Sequence, residues 1–345
     1  MSQTKRILYI DSLRGFAVLL MVMVHVAATW NPFSDVQDSL LAYVVSGLGG
    51  LAAPLFVTLF GWGVVRTQSR FRQRIAQALF LLVAQIVVNL TSPHIFNPYT
   101  PGVLSLMAVL TLVVPWVCQQ LDFSRPHTLF VLIGAIFSIQ LLDLDIQGTG
   151  QWSDRIGDGS ITVILSNLFL TGTYPVFPWA IFAFLGATIS LHPELESMPV
   201  SSAPSVRWGV GVGLLYCTVT YAYALSKNLL WAHPSEDAIL TFFPANSPFL
   251  IAGMTGVLLS WMLIQRFGFS HLASAGKLSL SVYIVHFIPL TLMRDFEATH
   301  QWGLQTSIAA VTIYTLAWIP FAAVWLRMCP KVSVERVLKW IRKSL

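Results

Sequence analysis

Residues 6–25 read RILYIDSLRGFAVLLMVMVH. This stretch is long and apolar enough to form a membrane-spanning helix, because about 20 such residues cross the hydrocarbon core of a bilayer. It nevertheless contains Asp11, Arg14 and His25, and ionisable side chains inside a span are costly and favour a functional role. At about 100° per residue, the three side chains share one face of a helix. The sequence therefore predicts a helix whose polar face is turned toward the protein interior or a water-filled cavity.

The composition places most of the chain in lipid rather than water. Of its 345 residues, 55% are hydrophobic and only 10% are charged, whereas an ordinary soluble domain carries about 25% charged residues. So few polar side chains cannot cover the surface of a water-soluble fold of this size, which excludes a soluble globular enzyme. The predicted fold class is an all-α integral membrane protein, a bundle of about ten transmembrane helices.

Ten apolar runs account for the predicted spans. They are residues 8–30, 41–65, 75–91, 103–118, 127–143, 174–191, 207–225, 247–265, 278–293 and 304–327. A further apolar stretch, residues 161–170, is too short to cross alone, and we interpret it as an interfacial or re-entrant piece that leads into the sixth span. An even number of spans puts both termini on the same side of the membrane.

The distribution of Lys and Arg orients these spans, because cytoplasmic loops are enriched in both. On the ten-span arrangement, one side has sixteen basic residues and the other has three. Both termini are therefore assigned to the cytoplasm, and the net charge of +5 is a topology signal rather than a nucleic-acid footprint. A cleaved signal peptide is the alternative interpretation of the first run, disfavoured because cleavage would remove a span that the charge distribution requires. The basic residues on the cytoplasmic side are Lys5, Arg6, Arg66, Arg70, Arg72, Arg74, Arg125, Arg207, Arg266, Lys277, Arg327, Lys331, Arg336, Lys339, Arg342 and Lys343.

The chain is interpreted as one membrane domain followed by a short tail. Residues 1–330 form the transmembrane domain, and residues 331–345 form a basic amphipathic cytoplasmic tail that we expect along the inner membrane surface. Cys118, Cys217 and Cys329 lie in or beside apolar runs and match neither a disulfide framework nor a metal-binding pattern. We therefore expect no metal site and no prosthetic group.

The first span supplies the strongest candidate site residues. Asp11 and Arg14 are three residues apart and form a natural ion pair, which could serve only to neutralise both charges and pin the helix. His25 has no partner nearby in sequence. It shares a helical face with an arginine inside lipid, so we interpret it as a functional residue rather than as a core histidine.

A second polar face lies in the ninth span, which includes GKLSLSVYIVHF at residues 276–287. Ser279, Tyr283 and His286 line one face of this helix, either as hydrogen-bonding contacts between spans or as functional groups. Straight, parallel helices place His286 about 13 Å above Lys277 and His25 about 27 Å along its own helix, counted at 1.5 Å per residue. The two histidines are therefore predicted to lie apart unless tilt or a broken helix brings them level.

Five sequence segments together resemble the transmembrane acyltransferase superfamily. The resemblance covers most of the chain and is greatest to the heparan-alpha-glucosaminide N-acetyltransferase catalytic-domain family and its bacterial relatives, with the acyltransferase-3 family a near second. The segments are RILYIDSLRGFAVLLMVMVH (6–25), PLFVTLFGWGV (54–64), TPGVLSLMAVL (100–110), YPVFPWAIFAFLGA (174–187) and GKLSLSVYIVH (276–286).

This resemblance implies a membrane-embedded acetyltransferase. It would move an acyl group from cytoplasmic acyl-CoA, in particular acetyl-CoA as cosubstrate, to an amino or hydroxyl group of a carbohydrate or glycoconjugate on the extracytoplasmic side. His25 would act as general base or as acyl carrier, because imidazole is the side chain best matched to proton transfer near neutral pH. The resemblance carries the catalytic assignment to Asp11, Arg14, His25 and His286.

The polyanionic end of CoA cannot cross a bilayer, so it should stay at the basic cytoplasmic face. The candidate cofactor-binding residues are Arg14, Arg66, Arg70, Arg72, Arg74, Ser279 and Tyr283. Ser279 and Tyr283, with His286, would line the channel that takes the donor into the bundle. The four arginines after the second span suit phosphates, although such a cluster is more often only an orientation signal.

A transporter or flippase is the competing hypothesis, with a polar pathway through Asp11, Arg14, His25 and His286. A non-catalytic lipid-binding or polysaccharide-binding role has no distinguishing feature in the sequence. The expected partners are acyl-CoA, a carbohydrate acceptor and the lipid bilayer, with no nucleic acid, and a homodimer is compatible with the sequence. The expected location is the bacterial inner (plasma) membrane.

Overall fold

The computed structural model describes residues 7–30, 40–142, 144–157, 159–196, 198–234 and 238–345. Lys5 and Arg6, which the charge distribution assigns to the cytoplasmic side, lie outside these ranges.

Helices dominate the described ranges. Two short strands, β1 (Leu230–His233) and β2 (Ala238–Thr241), pair in parallel, with Ala232 opposite Leu240. Residues Asn167–Thr171 form a π-helix, and short 3-10 helices are present at Leu144–Gln147, Pro193–Glu196, Val200–Ser202 and Ser270–Leu272. The α-helices are α1 (Leu8–Thr29), α2 (Leu40–Arg66), α3 (Phe71–Thr91), α4 (Val103–Gln120), α5 (Pro126–Leu142), α6 (Trp152–Arg155), α7 (Ile161–Ser166), α8 (Val176–Leu191), α9 (Pro204–Lys227), α10 (Ser247–Phe267), α11 (Ala273–Lys277), α12 (Ser279–Val285), α13 (Phe287–Leu292), α14 (Phe296–His300), α15 (Leu304–Met328) and α16 (Val334–Lys343).

The described helices confirm an all-α membrane protein. Seven of them, α1 to α4, α9, α10 and α15, contain a stretch long and apolar enough to cross a bilayer. Two further spans are bent pairs: Ile161–Thr171 with Val176–Leu191 at 48°, and Ser270–Lys277 with Ser279–Leu292 at 67°. Helix α5 is apolar but shorter, at 17 residues. Each of the ten predicted spans coincides with one of these elements.

Two of the predicted spans are broken rather than continuous. The stretch at 161–170, expected to lead into the sixth span, is the first arm of the first bent pair. The ninth span, expected as one helix over residues 278–293, instead begins at the 3-10 turn Ser270–Leu272 and is divided into α11, α12 and α13. This second break decides the geometry of the candidate site.

The chain divides into two compact units. The first contains residues 1–52 and 260–340, and the second contains residues 53–259 and 341–345. In the first unit α1 packs against α11, α12 and α15. The backbones come close at Gly15 and Gly276, where a Cβ on Gly276 would overlap the carbonyl oxygen of Asp11. Small residues let two membrane helices come this close, which increases dispersion contact where the hydrophobic effect is weak.

In the second unit α4 and α8 pack together, with α3 against α4 and α5 against α8. Glycines again set the separation between helices. A Cβ on Gly186 of α8 would overlap the carbonyl oxygen of Thr58, and one on Gly61 would overlap that of Ala183. These two glycines belong to the PLFVTLFGWGV and YPVFPWAIFAFLGA segments, so close helix packing explains why each segment has a glycine at that position.

A buried arginine organises the connection between α5 and α8 in this unit. Arg155 is 1% exposed and lies 5.6 Å from the centre of the Phe243 ring. Burial lowers its pKa to about 10, which still leaves it charged at neutral pH. Its guanidinium donates hydrogen bonds to four backbone carbonyl oxygens, those of Gln147, Thr149, Thr171 and Gly172.

Candidate functional site

Helix α1 and the broken ninth span run in parallel and in register. Gly15 contacts Gly276, and His25, ten residues further on, contacts His286, ten residues beyond Gly276. Ten residues of helix α1 rise about 15 Å. The two elements therefore carry their glycine and their histidine at matching heights.

The straight-helix expectation that keeps His25 and His286 apart does not apply, because the ninth span is broken, which is the stated exception. It counted the height of His286 from Lys277 as though that residue marked the cytoplasmic end of its span. The neighbouring Gly276 instead packs beside Gly15, about two turns into α1. The ninth span therefore does not begin at Lys277: a first arm, Ser270–Lys277, precedes the 67° bend, and the two imidazoles are level.

The two imidazole rings form a buried hydrogen-bonded pair. Nδ1 of His25 lies 3.0 Å from Nε2 of His286. The ring planes are 15° apart, and His25 and His286 are only 8% and 0% exposed. This hydrogen bond joins two side chains 261 residues apart in the sequence and fixes α1 against the junction of α12 and α13.

The hydrogen bonds of His286 also fix which nitrogen of each neutral ring has the proton. Nδ1 of His286 lies 3.1 Å from the carbonyl oxygen of Val282. A carbonyl oxygen only accepts, so Nδ1 of His286 must donate and its Nε2 must be the acceptor. His25 therefore donates from Nδ1, and its Nε2 carries the lone pair. Nε2 of His25 is the nitrogen left for chemistry.

Aromatic side chains surround the histidine pair. The rings of Tyr283 and Phe287 lie 6.0 and 4.6 Å from the ring of His25, centre to centre. The hydroxyl of Tyr314 donates to the backbone carbonyl oxygen of His286 at 2.6 Å. Tyr283 and Phe287 are buried and Tyr314 is half-buried, so the pair is held in a largely apolar setting.

Trp30 closes the end of α1 beyond His25. It is 4% exposed, and its indole nitrogen donates to the carbonyl oxygen of Met293 at 3.0 Å. Its ring makes edge contacts with Trp302 and Tyr314, and its carbonyl oxygen accepts from Ser307. These contacts join the ends of α1, α13 and α15 on the side predicted to be extracytoplasmic.

The predicted pair of Asp11 and Arg14 is present in the structure. Nη1 of Arg14 lies 3.8 Å from Oδ1 of Asp11, and the two side chains are 35% and 2% exposed. Asp11 is thus buried beside its partner, while Arg14 is open enough to meet a ligand. Asp11 lies one turn before Gly15 and Arg14 directly before it, and the pair lies three to four turns before His25 along α1.

Ser281, rather than Ser279, makes the hydrogen bonds at the start of α12. Its hydroxyl donates to Oε2 of Glu335 at 2.6 Å and accepts from the backbone nitrogen of Val334 at 2.9 Å. Of the three residues predicted to line one face of the ninth span, Tyr283 and His286 lie beside His25. Ser279 is the first residue of α12, two residues before these contacts. The periodicity of one helix face could not identify Ser281, because its partner comes from the far end of the chain.

Comparison with known proteins identifies the family. A family model described as an acyltransferase domain matches residues 7–326. The chain belongs to the acyltransferase-3 family. No curated protein matches it significantly. The match is to acyltransferase-3 and is not specific to the heparan-alpha-glucosaminide N-acetyltransferase family, so that closer resemblance stays a prediction.

The second unit of this acyltransferase carries the predicted basic cluster. Arg66, at the end of α2, lies over the ring of Trp62 at 4.9 Å. Arg70 and Arg72 are exposed and Arg74 is half-buried. Within the described residues, none of these four arginines makes an ion pair. The cluster is therefore available to an anion.

A fifth arginine, which the sequence analysis did not single out, lies beside this cluster. Nη2 of Arg342 donates to the hydroxyl of Ser69 at 2.5 Å. The side chain of Gln73 donates to the carbonyl oxygen of Arg342 at 2.8 Å. Burial lowers the pKa of Arg342. Arg342 is close to the cluster because the C-terminal residues pack against the start of α3, a contact that the sequence does not indicate.

The histidine pair of the acyltransferase has the groups that acyl transfer requires. One imidazole offers a lone pair, and the second orients it and can support the charge that forms when the first takes a proton. Among the described residues no cluster of three or more His, Cys, Asp or Glu side chains could hold a metal ion.

Proposed function

We propose that this acyltransferase moves an acyl group, in particular acetyl, from acyl-CoA to an amino or hydroxyl group of a carbohydrate, with Nε2 of His25 as the reactive nitrogen. The observation that carries the proposal is the hydrogen bond between Nδ1 of His25 and Nε2 of His286 at 3.0 Å. It leaves one lone pair, on a defined atom, in a buried site of a chain that belongs to an acyltransferase family.

The general-base route uses this lone pair directly. Nε2 of His25 takes the proton of the acceptor as its nitrogen or oxygen attacks the thioester carbonyl carbon. The tetrahedral intermediate then collapses, the carbon–sulfur bond breaks, and the proton on Nε2 passes to the departing thiolate of CoA. While Nε2 is protonated the ring of His25 is a cation, and its Nδ1–H bond to His286 strengthens because hydrogen bonds to charged groups are the stronger ones.

The acyl-carrier route uses the same atom as a nucleophile. Nε2 attacks the thioester carbonyl carbon, the carbon–sulfur bond breaks, and CoA leaves as the thiolate. The acceptor then attacks the acyl carbon of the acyl-imidazolium, the bond from that carbon to Nε2 breaks, and the acceptor's proton passes to the freed Nε2 and from there to the thiolate. In this route His286 accepts from Nδ1 of His25 throughout and disperses the positive charge of the acylated ring. Both routes therefore require the same orientation of His25.

The basic cluster supports the choice of donor. Arg70 and Arg72 are exposed and without ion pairs in the described structure, and guanidinium groups bind phosphate oxygens bidentately. We propose that they hold the phosphates of CoA at the cytoplasmic face. We further propose that the acceptor binds on the extracytoplasmic side and that the enzyme lies in a bacterial inner membrane.

The test uses full-length protein purified in nanodiscs. Acetyl-CoA is supplied with a panel of sugars that present amines or hydroxyls, and both the release of free CoA thiol and the acetylation of the sugar are measured. We expect wild-type turnover with at least one sugar class and none above background in His25→Ala. An acetyl group found on His25 by peptide mass spectrometry would select the acyl-carrier route.

His300→Ala is the matched control. Nδ1 of His300 lies 2.9 Å from the carbonyl oxygen of Phe296, the same local contact that His286 makes with Val282, but the side chain is exposed. We expect this variant to keep wild-type activity. Full activity in a folded His25→Ala protein would refute the role of His25, and acetyl transfer that needs no CoA thioester would refute the donor.

A further inference from the structure

We propose that Glu335, in the C-terminal helix α16, is a positioning residue for the reaction: it holds α12 in place and so sets the position of His286 against His25. The inference rests on the proposed function, because it assigns Glu335 a part in that same site. It gives the C-terminal tail, expected only to lie along the membrane surface, a part in catalysis.

The Glu335 carboxylate caps the start of α12. Its Oε1 accepts from the backbone nitrogens of Leu280 and Ser281 at 2.8 and 3.0 Å, and its Oε2 accepts from the hydroxyl of Ser281 at 2.6 Å. The hydroxyl of Ser281 in turn accepts from the backbone nitrogen of Val334. The side chain and the start of α16 thus make four hydrogen bonds at one end of a seven-residue helix.

The break in the ninth span explains why this cap is needed. The chain bends by 67° between α11 and α12, so the first backbone N–H groups of α12 lack the carbonyl partners that a continuous helix would provide. Leu280 is 9% and Ser281 is 0% exposed. Buried N–H groups without partners are costly. A carboxylate satisfies two of them and also places a negative charge at a helix N-terminus, where it is favoured.

A continuous line of contacts leads from the cap to the reactive nitrogen. The carbonyl oxygen of Val282, the residue after Ser281, accepts both from the backbone nitrogen of His286 at 3.0 Å and from its Nδ1 at 3.1 Å. Nε2 of His286 then accepts from Nδ1 of His25. If the start of α12 shifts, Val282 shifts with it, and the imidazole of His286 loses its alignment.

The carboxylate is half-buried and touches the backbone of α12, not the imidazole rings. Its contribution therefore passes through His286. This distinguishes positioning from simple stabilisation, because the effect of removing Glu335 should disappear once His286 is gone.

The experiment compares Glu335→Ala, His286→Ala and the double variant in full-length protein in nanodiscs, by the same acetyl-transfer assay. A shift in catalytic geometry lowers the rate, but an effect that passes through His286 cannot exceed loss of the His286 hydrogen bond, so we expect Glu335→Ala to lower kcat by about fivefold with little change in KM for acetyl-CoA. In the His286→Ala background, the second change should lower kcat no further. Independent, multiplicative losses would overturn the inference.

A second readout does not depend on turnover. Diethyl pyrocarbonate modifies accessible imidazoles, and His286 is 0% exposed. We expect peptide mass spectrometry to show faster modification of His286 in Glu335→Ala than in wild type, and no change in Lys339→Ala, an exposed position on the same helix. An unchanged rate in folded Glu335→Ala would overturn the inference. Glu335→Gln keeps one acceptor oxygen, and we expect an intermediate effect in both assays; it replaces Glu335→Ala if that variant does not fold.

The two readouts separate this inference from the proposed function. A wild-type protein that transfers no acetyl group would refute the proposed function, while the modification rate would still test whether Glu335 holds His286. An active wild type with no coupling between the two residues would refute only the positioning role.

Discussion

Replacement of His286 by Phe tests the orientation of the reactive imidazole. The change keeps an aromatic ring beside Phe287 but removes the acceptor that lies 3.0 Å from Nδ1 of His25. It also frees the carbonyl oxygen of Val282 from its side-chain contact. His25 then has no fixed tautomer, and the cation formed when its Nε2 takes a proton loses its partner.

The size of the effect follows from the change in charge. A neutral hydrogen bond contributes about 0.5–1.5 kcal/mol, and one to a charged group contributes about 1.5–3 kcal/mol. The hydrogen bond between the two imidazoles is a neutral one in the ground state, and it becomes a bond to a charged group as His25 becomes a cation in the transition state. The difference, about 1–1.5 kcal/mol of transition-state stabilisation, corresponds to a kcat about 5- to 13-fold lower. His25→Ala, which removes the base itself, should fall to background.

The assay is steady-state release of CoA thiol in nanodiscs, with thermal unfolding and size-exclusion chromatography as checks on folding. His286→Gln is the rescue variant, since its amide oxygen can accept from Nδ1 of His25, and it should recover part of the lost kcat. A folded His286→Phe enzyme with wild-type kcat would refute the orienting role. A loss as complete as that of His25→Ala would show instead that His286 itself reacts.

Two further perturbations test the packing and the donor site. Gly276→Ala places a methyl group against the carbonyl oxygen of Asp11, whereas a Cβ on Gly303 meets nothing within 4 Å. Because overpacking costs about 1–3 kcal/mol, differential scanning fluorimetry should give a lower melting temperature for Gly276→Ala than for Gly303→Ala. Equal melting temperatures would contradict the close packing of α1. The double variant Arg70→Ala, Arg72→Ala should raise KM for acetyl-CoA about fivefold, the size expected for exposed charge contacts, with kcat unchanged. The control Arg125→Ala, which removes an exposed arginine paired with Asp122, should change neither KM nor kcat. An unaltered KM in the double variant would show that the cluster does not bind the donor.

Local patterns were sufficient to predict the spans and one pair of charges. An apolar run of about 20 residues has few alternatives to a membrane helix, so α1 and α15 follow directly from composition. The ion pair of Asp11 and Arg14 follows from three-residue spacing on a helix. Each of these features depends on residues that are close in sequence.

The centre of the candidate site depends on tertiary contacts and a hidden break. GKLSLSVYIVHF contains no proline and reads as one helix, so nothing local reveals the bend before Ser279. The carboxylate that accepts hydrogen bonds from the residues after the bend belongs to Glu335, more than 50 residues away in sequence. For the same reason the position of His286 could not be predicted from helical rise, and Tyr314 and Arg342 were not recognised.

The contact between Gly15 and Gly276 and the contact between His25 and His286 are ten residues apart in each of the two chain segments. A residue inserted between Gly15 and His25 would swing the imidazole by about 100° around its helix, away from its partner. A second insertion between Gly276 and His286 cannot simply undo that swing, because the segment is interrupted and held at its bend. The spacing in both segments is therefore constrained by chemistry and by packing together, and neither histidine can be moved without redesigning the other.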